Sequence, residues 1–139
     1  MNSRVASAER EYLIQTFNDP TQRRVRSSIF SEGLLLDTVE EEFGAGLPEP
    51  EQLELVKNTH KERKEEIEHL LQKFGDAMQS SDADQINSLG QAMLYKRMYP
   101  EAEMLFKRLV SQHPDAHESL NHLGLVFMAQ GKPQEAVEP

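Results

Sequence analysis

The feature of this sequence that most constrains its fold is a pattern of apolar and small residues that recurs after 34 residues. The first set consists of Ile86, Leu89, Gly90 and Met93, and the second set consists of Leu120, Leu123, Gly124 and Phe127. Ala102 likewise recurs as Ala136. A fixed period of about 20 to 50 residues is typical of proteins built from stacked structural repeats. The recurrence therefore predicts pairs of antiparallel helices over residues 81–139.

The residue types in the pattern have a physical purpose in such helix pairs. Small residues at Gly90 and Ala102 would let two helices approach closely, while the larger apolar residues fill the space around them. Pro114 would end the second helix of the first pair. The second pair stops at Pro139, before its second helix is complete. We therefore expect a fragment of a longer repeat protein, with an end closed by another copy of the chain as the alternative.

The pattern resembles the tetratricopeptide repeat family over about residues 83–139. The first repeat matches at Ile86, Leu89, Gly90, Met93, Ala102, Phe106 and Pro114, and the second matches at Leu120, Leu123, Gly124, Phe127 and Ala136. The resemblance implies an all-α fold, in which one full and one truncated repeat form an antiparallel helix-pair solenoid. It also implies a concave groove, lined by the first helix of each repeat, that holds a peptide or a helix of a partner.

The resemblance also implies which residues face that groove. They are Asp84, Asn87, Gln91 and Leu94 in the first repeat, and Glu118, Asn121, Leu125 and Met128 in the second. Of these, Asn87, Gln91, Leu94, Asn121, Leu125 and Met128 are the predicted partner-binding residues. Since none of the eight is Lys or Arg, the groove is not expected to clamp a C-terminal carboxylate. Two acids among apolar side chains suit an apolar or basic amphipathic segment instead.

Residues 1–80 do not continue the repeat, and their apolar spacing predicts an N-terminal helical region. Helices are expected over about residues 4–17, 20–43 and 51–78, separated by the Pro20 boundary and by a Gly- and Pro-rich loop at 44–50. The third helix has apolar spacing mainly in its second half. Its polar first half is expected to project into solvent or against another chain.

Composition excludes several classes of function. The net charge of −9 disfavours binding to nucleic acid and to anionic membrane surfaces. The chain has no cysteine, which excludes disulfides and thiolate metal sites. No stretch has the roughly 18 consecutive apolar residues of a membrane span. We expect a soluble, cytoplasmic protein that binds no membrane and no nucleic acid.

Few residues in the sequence are candidates for catalysis or metal binding. Glu66 and His69 form one E-x-x-H pair, whereas di-iron helical bundles use two such pairs and two further glutamates. His113, His117 and His122 are not assured of sharing one helical face. The basic run at residues 22–26 is interpreted as a solvated helix face, offset by Glu40, Glu41 and Glu42. Neither an enzyme, a metal site nor a cofactor is expected.

These observations favour a non-catalytic protein–protein interaction module, which would act as a scaffold or adaptor through the predicted groove. A protein or peptide is the expected partner, and self-association is a further possibility. The alternative is a regulatory or dimerisation domain of a larger signalling or enzyme complex. On that alternative the helices before residue 80 would form the contacts.

Overall fold

The fold is mixed, and it begins with a sheet. A computed structural model describes residues 1–6, 10–114 and 117–131. The strands are β1 (Asn2–Ala6), β2 (Glu11–Asp19), β3 (Arg24–Ser31) and β4 (Leu34–Glu42). The helices are α1 (Glu49–Ala77), α2 (Ala83–Tyr95), α3 (Tyr99–Gln112) and α4 (His117–Ala129). The chain divides into two compact units, residues 1–69 and 70–139, so that α1 contributes to both. The prediction of an all-α fold is therefore wrong.

The four strands form an antiparallel meander in the order β1-β2-β3-β4. The helices predicted over about residues 4–17 and 20–43 are strands of this sheet. A two-residue turn with positive φ at Glu32 (53°) and Gly33 (79°) joins β3 to β4. Positive φ at both central residues is the conformation of the type I′ hairpin turn, whose twist matches that of the flanking strands.

The prediction of helices failed because apolar residues four positions apart lie on one face of a strand as well as on one face of a helix. On β3 the side chains of Val25, Ser27, Ile29 and Ser31 are buried, which is the alternation of a strand. Because two of these four positions are serines, only Val25 and Ile29 stand out as apolar. Their separation of four is also the separation of neighbours on one face of a helix.

Helix α1 covers one face of the sheet within residues 1–69, and it overlaps the helix predicted over about 51–78. Val56, His60, Arg63 and Ile67 form its buried stripe in this unit. The polar first half was expected to project into solvent or against another chain; instead one of its sides, with Thr59, His60 and Arg63, is buried. Its other side is exposed. Thr16 on β2 is buried, and its hydroxyl lies 2.7 Å from the imidazole of His60. The hydroxyl and the imidazole are hydrogen-bond partners, so their burial leaves neither of them unsatisfied.

Residues 70–139 contain the end of α1 and helices α2, α3 and α4. The core of this unit is mainly apolar, and its largest fully buried side chains are Phe106, Ile86, Met93, Met98, Leu105, Leu109, Glu101 and Val126. An ideal Cβ on Gly90 would lie 2.8 Å from the ring of Phe106, so only glycine allows this approach of α2 and α3. Asp82 caps α2 by accepting hydrogen bonds from the N–H groups of Asp84 and Gln85.

The two helices that carry the recurring pattern do not bury equivalent faces. The buried residues of α2 are Ile86, Leu89, Gly90 and Met93, and those of α4 are Ser119, Leu123, Val126 and Phe127. Leu120 and Gly124, which correspond to Ile86 and Gly90, are only half-buried. The helical-repeat prediction is therefore wrong, because the spacing recurs without the same packing. Ala136 lies outside the described residues.

Candidate interaction surfaces

Helix α4 exposes an apolar stripe on the side opposite its buried residues. Leu125 is 57% exposed and Met128 is 59% exposed, and Asn121 lies one turn before Leu125. The other side of α4 is held on α3, where the ring centroids of Phe106 and His122 are 5.2 Å apart. The exposed stripe therefore lies on the side of α4 that does not pack on α3.

The predicted positions on α2 are also accessible. Asp84 and Gln91 are exposed, and Asn87 and Leu94 are half-buried. The Oδ1 atom of Asn87 is itself buried and accepts no hydrogen bond within the described part of the chain. Helices α2 and α4 contact each other. The positions predicted from the sequence are together called the α2/α4 face; they are Asp84, Asn87, Gln91, Leu94, Glu118, Asn121, Leu125 and Met128.

The α2/α4 face is polar at one end of its helices and apolar at the other. Asp84 and Glu118 lie in the first turns of α2 and α4, where they complement the positive ends of the helix dipoles. Leu94, Leu125 and Met128 lie toward the C-terminal ends of these helices. Partner binding by the six residues named from the sequence stays a prediction.

The unit formed by residues 1–69 exposes apolar side chains of its own. The face of the sheet opposite α1 carries Phe17, which is 46% exposed, under the guanidinium of Arg26 at 5.8 Å from the ring centroid. Near the β3–β4 turn there is an open groove of about 540 Å³. Leu13, Phe30, Arg4, Arg10, Glu11, Gln15, Ser31, Glu32 and Gly33 line this groove. A purely solvated sheet face would be polar, so this face also has a capacity for binding.

A serine–histidine contact lies between the sheet and α1. The Nε2 atom of His60 is 2.7 Å from the hydroxyl of Ser3, and its Nδ1 atom is 2.7 Å from the hydroxyl of Thr16. Burial lowers the pKa of His60 from its ordinary value, and the N-terminal ammonium and Lys64 lower it further. A catalytic imidazole is oriented by a carboxylate that stabilises its charged form, whereas here a hydroxyl takes that place. The contact therefore suits a structural role.

Sequence reasoning missed this contact, because His60 belongs to the polar first half of the third helix, which was expected to project into solvent or against another chain. The signal available was weak, because Ser3 and Thr16 carry no catalytic motif and lie far from His60 in the sequence. Only the strand pairing of β1 with β2 brings the two hydroxyls to one face.

The other candidates from the sequence are dispersed or engaged in ion pairs. Glu66 accepts a hydrogen bond from Arg63 at 3.2 Å, and His69 is exposed. Within residues 1–6, 10–114 and 117–131, no three His, Asp or Glu side chains form a group able to hold a metal ion. His113 and His117 are exposed, while His122 contacts Phe106.

The basic run at residues 22–26 lies on a strand and its preceding turn, so its interpretation as a helix face is wrong. Arg24 and Arg26 both form ion pairs with Glu40, at 2.7 and 3.0 Å. The expected offset by acidic residues 40–42 thus includes direct contacts between β3 and β4.

Comparisons with known proteins give no relative from which to transfer a function. No protein-family model, curated protein or solved structure matches the chain. The resemblance to the tetratricopeptide repeat family is therefore wrong, since no family model supports it and the chain folds as a sheet followed by helices. None of the described helices is both long enough and apolar enough to cross a membrane.

Proposed function

We propose that this chain is a non-catalytic protein-interaction module whose α2/α4 face binds a basic amphipathic segment of a partner. The observation that carries the proposal is the pair of large apolar side chains, Leu125 and Met128, more than half exposed on one side of α4. They are three residues apart, so they form one stripe. A helix that lays its apolar face on another protein uses anchors at this spacing.

The acids of the α2/α4 face define the charge of the partner. Asp84 and Glu118 are exposed, and the predicted binding positions include no basic residue. Lysines on an approaching helix would meet these carboxylates while its apolar residues cover Leu125 and Met128. Ion pairs at such an exposed rim affect specificity and association rate more than affinity. The affinity is therefore expected to come mainly from apolar burial.

Asn87 and Asn121 add hydrogen-bonding capacity to the same surface. An asparagine side chain both donates and accepts, so it can meet the polar backbone of a partner segment. The buried Oδ1 atom of Asn87 has an unused lone pair in the described structure.

The proposal is tested by fluorescence anisotropy with a labelled amphipathic helical peptide of leucine and lysine. A peptide of equal composition, with its residues scrambled so that no apolar face forms, serves as the ligand control. We expect the amphipathic peptide to bind the full chain, and Leu125→Ser/Met128→Ser to weaken binding about tenfold. Leu53→Ser removes a leucine that is 51% exposed on α1, and it should leave binding unchanged.

Equal binding of the amphipathic peptide by the double variant and the parent chain would show that the α2/α4 face is not the site. Equal binding of both peptides would mean attraction by net charge alone, which would also contradict the proposal. Asp84→Asn/Glu118→Gln should reduce the affinity by a smaller factor, and this reduction should disappear at high salt.

A further inference from the structure

Strand β4 is an edge strand whose outer backbone faces no other strand of the described residues. The N–H of Phe43 donates to the carbonyl of Arg23 at 2.9 Å, which fixes the direction in which this part of the chain faces β3. Because peptide groups alternate in direction along a strand, Val39 and Glu41 also face β3. Thr38 and Glu40 therefore direct their N–H and C=O groups away from the sheet, where an added strand would meet them.

The side chains of β4 change character along the strand. Leu34 is 67% exposed and Leu35 is 51% exposed at its start, whereas Glu41 and Glu42 are exposed at its end. Natural edge strands are usually protected from pairing by charges or by their shortness. The glutamates at the end of β4 protect it from pairing with apolar strands, whereas its first residues, Leu34 and Leu35, give no such protection. A strand able to pair with β4 along its length must therefore be basic at one end and apolar at the other.

Strand β3, which pairs with β4 on its inner side, already has this arrangement of a basic half and an apolar half. In the antiparallel register, Arg26 is opposite Glu40 and Phe30 is opposite Leu35. The first half of β3 is thus basic where β4 is acidic, and its second half is apolar where β4 is apolar. Because Glu40 pairs with both Arg24 and Arg26, Glu41 and Glu42 are the acids that remain for a strand on the outer side.

Two alternative edges fit less well. Antiparallel pairing of β4 with β4 of a second copy would place Leu34 and Leu35 opposite Glu41 and Glu42, which matches apolar groups with charges. Strand β1, at the opposite edge, has only five residues and offers little backbone for pairing. The β4 edge, defined as the outer side of Leu34–Glu42, is therefore the better surface for strand addition, and its partner is a different segment.

We propose that the β4 edge binds an extended peptide segment in the antiparallel direction, with basic residues in the N-terminal half of that segment and apolar residues in its C-terminal half. The backbone hydrogen bonds of Thr38 and Glu40 provide the attachment. Glu41 and Glu42 recognise the basic half, and Leu34 and Leu35 contact the apolar half. Main-chain pairing of this kind provides affinity, and the alternating side chains provide specificity.

The probe is a synthetic peptide with the sequence of residues 23–31, which has the required polarity. Two controls keep its side chains and its charge. The first has the same residues in reverse order. The second is the same peptide with alternate backbone amides N-methylated, so that one of its edges cannot donate hydrogen bonds to a strand. Binding to the full chain is followed by fluorescence anisotropy and by hydrogen exchange of backbone amides. We expect both controls to bind at least about tenfold more weakly, since they lose charge matching or backbone pairing.

Hydrogen exchange locates the bound peptide. The amides of Thr38 and Glu40 should become protected in the complex, while the amides of β1 should not. Protection confined to β1, or no new protection on β4, would overturn the proposal. Displacement of the native β3 by the peptide would also overturn it, and this would appear as faster exchange of β3 amides.

A charge-reversal variant separates recognition from general attraction. Glu41→Lys/Glu42→Lys should weaken binding of the probe at least about fivefold. Glu62→Lys/Glu68→Lys makes the same change in net charge on exposed positions of α1 and should have a much smaller effect. Equal losses in the two variants would reduce the interaction to net charge and contradict the proposed site. The Leu125→Ser/Met128→Ser variant should bind the probe normally, so this test is independent of the α2/α4 face.

Discussion

The two units of this protein stabilise their interiors in different ways. Beside apolar side chains such as Tyr12, Ile14 and Ile29, residues 1–69 bury a set of polar side chains, which are Thr16, Ser27, Ser28, Ser31, Thr59, His60 and Arg63. Residues 70–139 bury mainly large apolar side chains around Phe106. A polar interior depends on having each hydrogen bond in place, whereas an apolar interior depends on shape and volume. The two units should therefore respond to different perturbations.

The polar interior also restricts how α1 can lie on the sheet. The hydroxyl of Thr16 contacts both His60 and Ser27, and Arg63 donates to Asp37 on β4 at 2.8 Å. A shift of the helix along the sheet would leave several of these groups buried without partners, at a cost of about 1–3 kcal/mol for each. An apolar interface would tolerate such a shift better. The network therefore specifies the position of α1 as well as stabilising it.

The largest effect is expected in the apolar unit, from Phe106→Ala. Phe106 is completely buried, and its ring touches both Gly90 on α2 and His122 on α4. Removing the ring should cost about 3–5 kcal/mol of unfolding free energy, because a cavity remains where three helices meet. Hydrogen exchange of amides in residues 70–131 should report the loss. Unchanged exchange there would show that the ring is not central to this core.

A change in the opposite direction tests the same contact. Gly90→Ala places a methyl group within 2.8 Å of the Phe106 ring, and it should cost about 1–3 kcal/mol through overpacking. Gly75→Ala, in the last turns of α1, meets no atom within 4 Å. It should instead stabilise the unit by up to about 1 kcal/mol, because alanine is the better helix former. Two effects of equal sign would contradict the proposed role of Gly90.

In the polar unit the most sensitive residue should be Arg63. Its side chain is 6% exposed and contacts Asp37 and Glu66. Arg63→Met keeps much of the apolar stem but removes the charge that both acids meet. Since each acid is about one third exposed and can be hydrated in part, we expect a loss of about 2 kcal/mol. Lys61→Met on the exposed side of α1 is the control, and its effect should stay within about 0.5 kcal/mol.

The pH dependence of stability should separate the two units. Burial lowers the pKa of His60 in the folded chain below its ordinary value of about 6.5, so the unfolded chain binds the proton more tightly. This contribution to stability is fully present above that value and is lost as the pH falls below it. The slope cannot exceed about 1.4 kcal/mol per pH unit for one group.

The measurement is denaturant unfolding between pH 7.5 and pH 5, read by amide exchange in residues 10–69. His60→Gln should remove the slope in this range, and His69→Gln, which changes an exposed histidine on the same helix, should retain it. A slope that survives His60→Gln would assign the effect to another group.

The sequence predicted the helical part of the chain better than the sheet. A helix was expected over about residues 51–78, and α1 (Glu49–Ala77) overlaps that range, because a helix of this length shows its periodicity clearly. The approach of α2 and α3 at Gly90 was also expected from residue size. The rotated packing of α4 could not be predicted, because the recurring residues do not reveal which of them face α3.

The sheet was missed because its strands bury polar residues, which hides their alternation. Serines at alternate positions of β3 hid the strand period, and apolar residues on both faces of β2 imitated a helical stripe. The site residues Ser3 and Thr16 become visible only when the strand register is known. One signal could have been used, since Gly33 stands between two apolar runs and glycine readily adopts the positive φ of a hairpin turn.

A substitution in that turn, Gly33→Ala, is expected to have the smallest and most local effect on stability. Gly33 has a φ of +79°, and a Cβ added there meets no atom within 4 Å, so any cost of Gly33→Ala comes from the backbone alone. We expect a loss of about 1 kcal/mol, because L-residues with a side chain adopt this conformation at a cost. Gly46→Ala is the matched control, since its site is equally open and its φ is not positive; it should change stability by less than about 0.5 kcal/mol. A difference between the two variants, confined to the amides of β3 and β4, would show that the turn sets the register of these strands. Equal effects of the two variants would mean that strand pairing alone stabilises the hairpin. They would also mean that alanine adopts the turn conformation of Gly33 without a measurable cost.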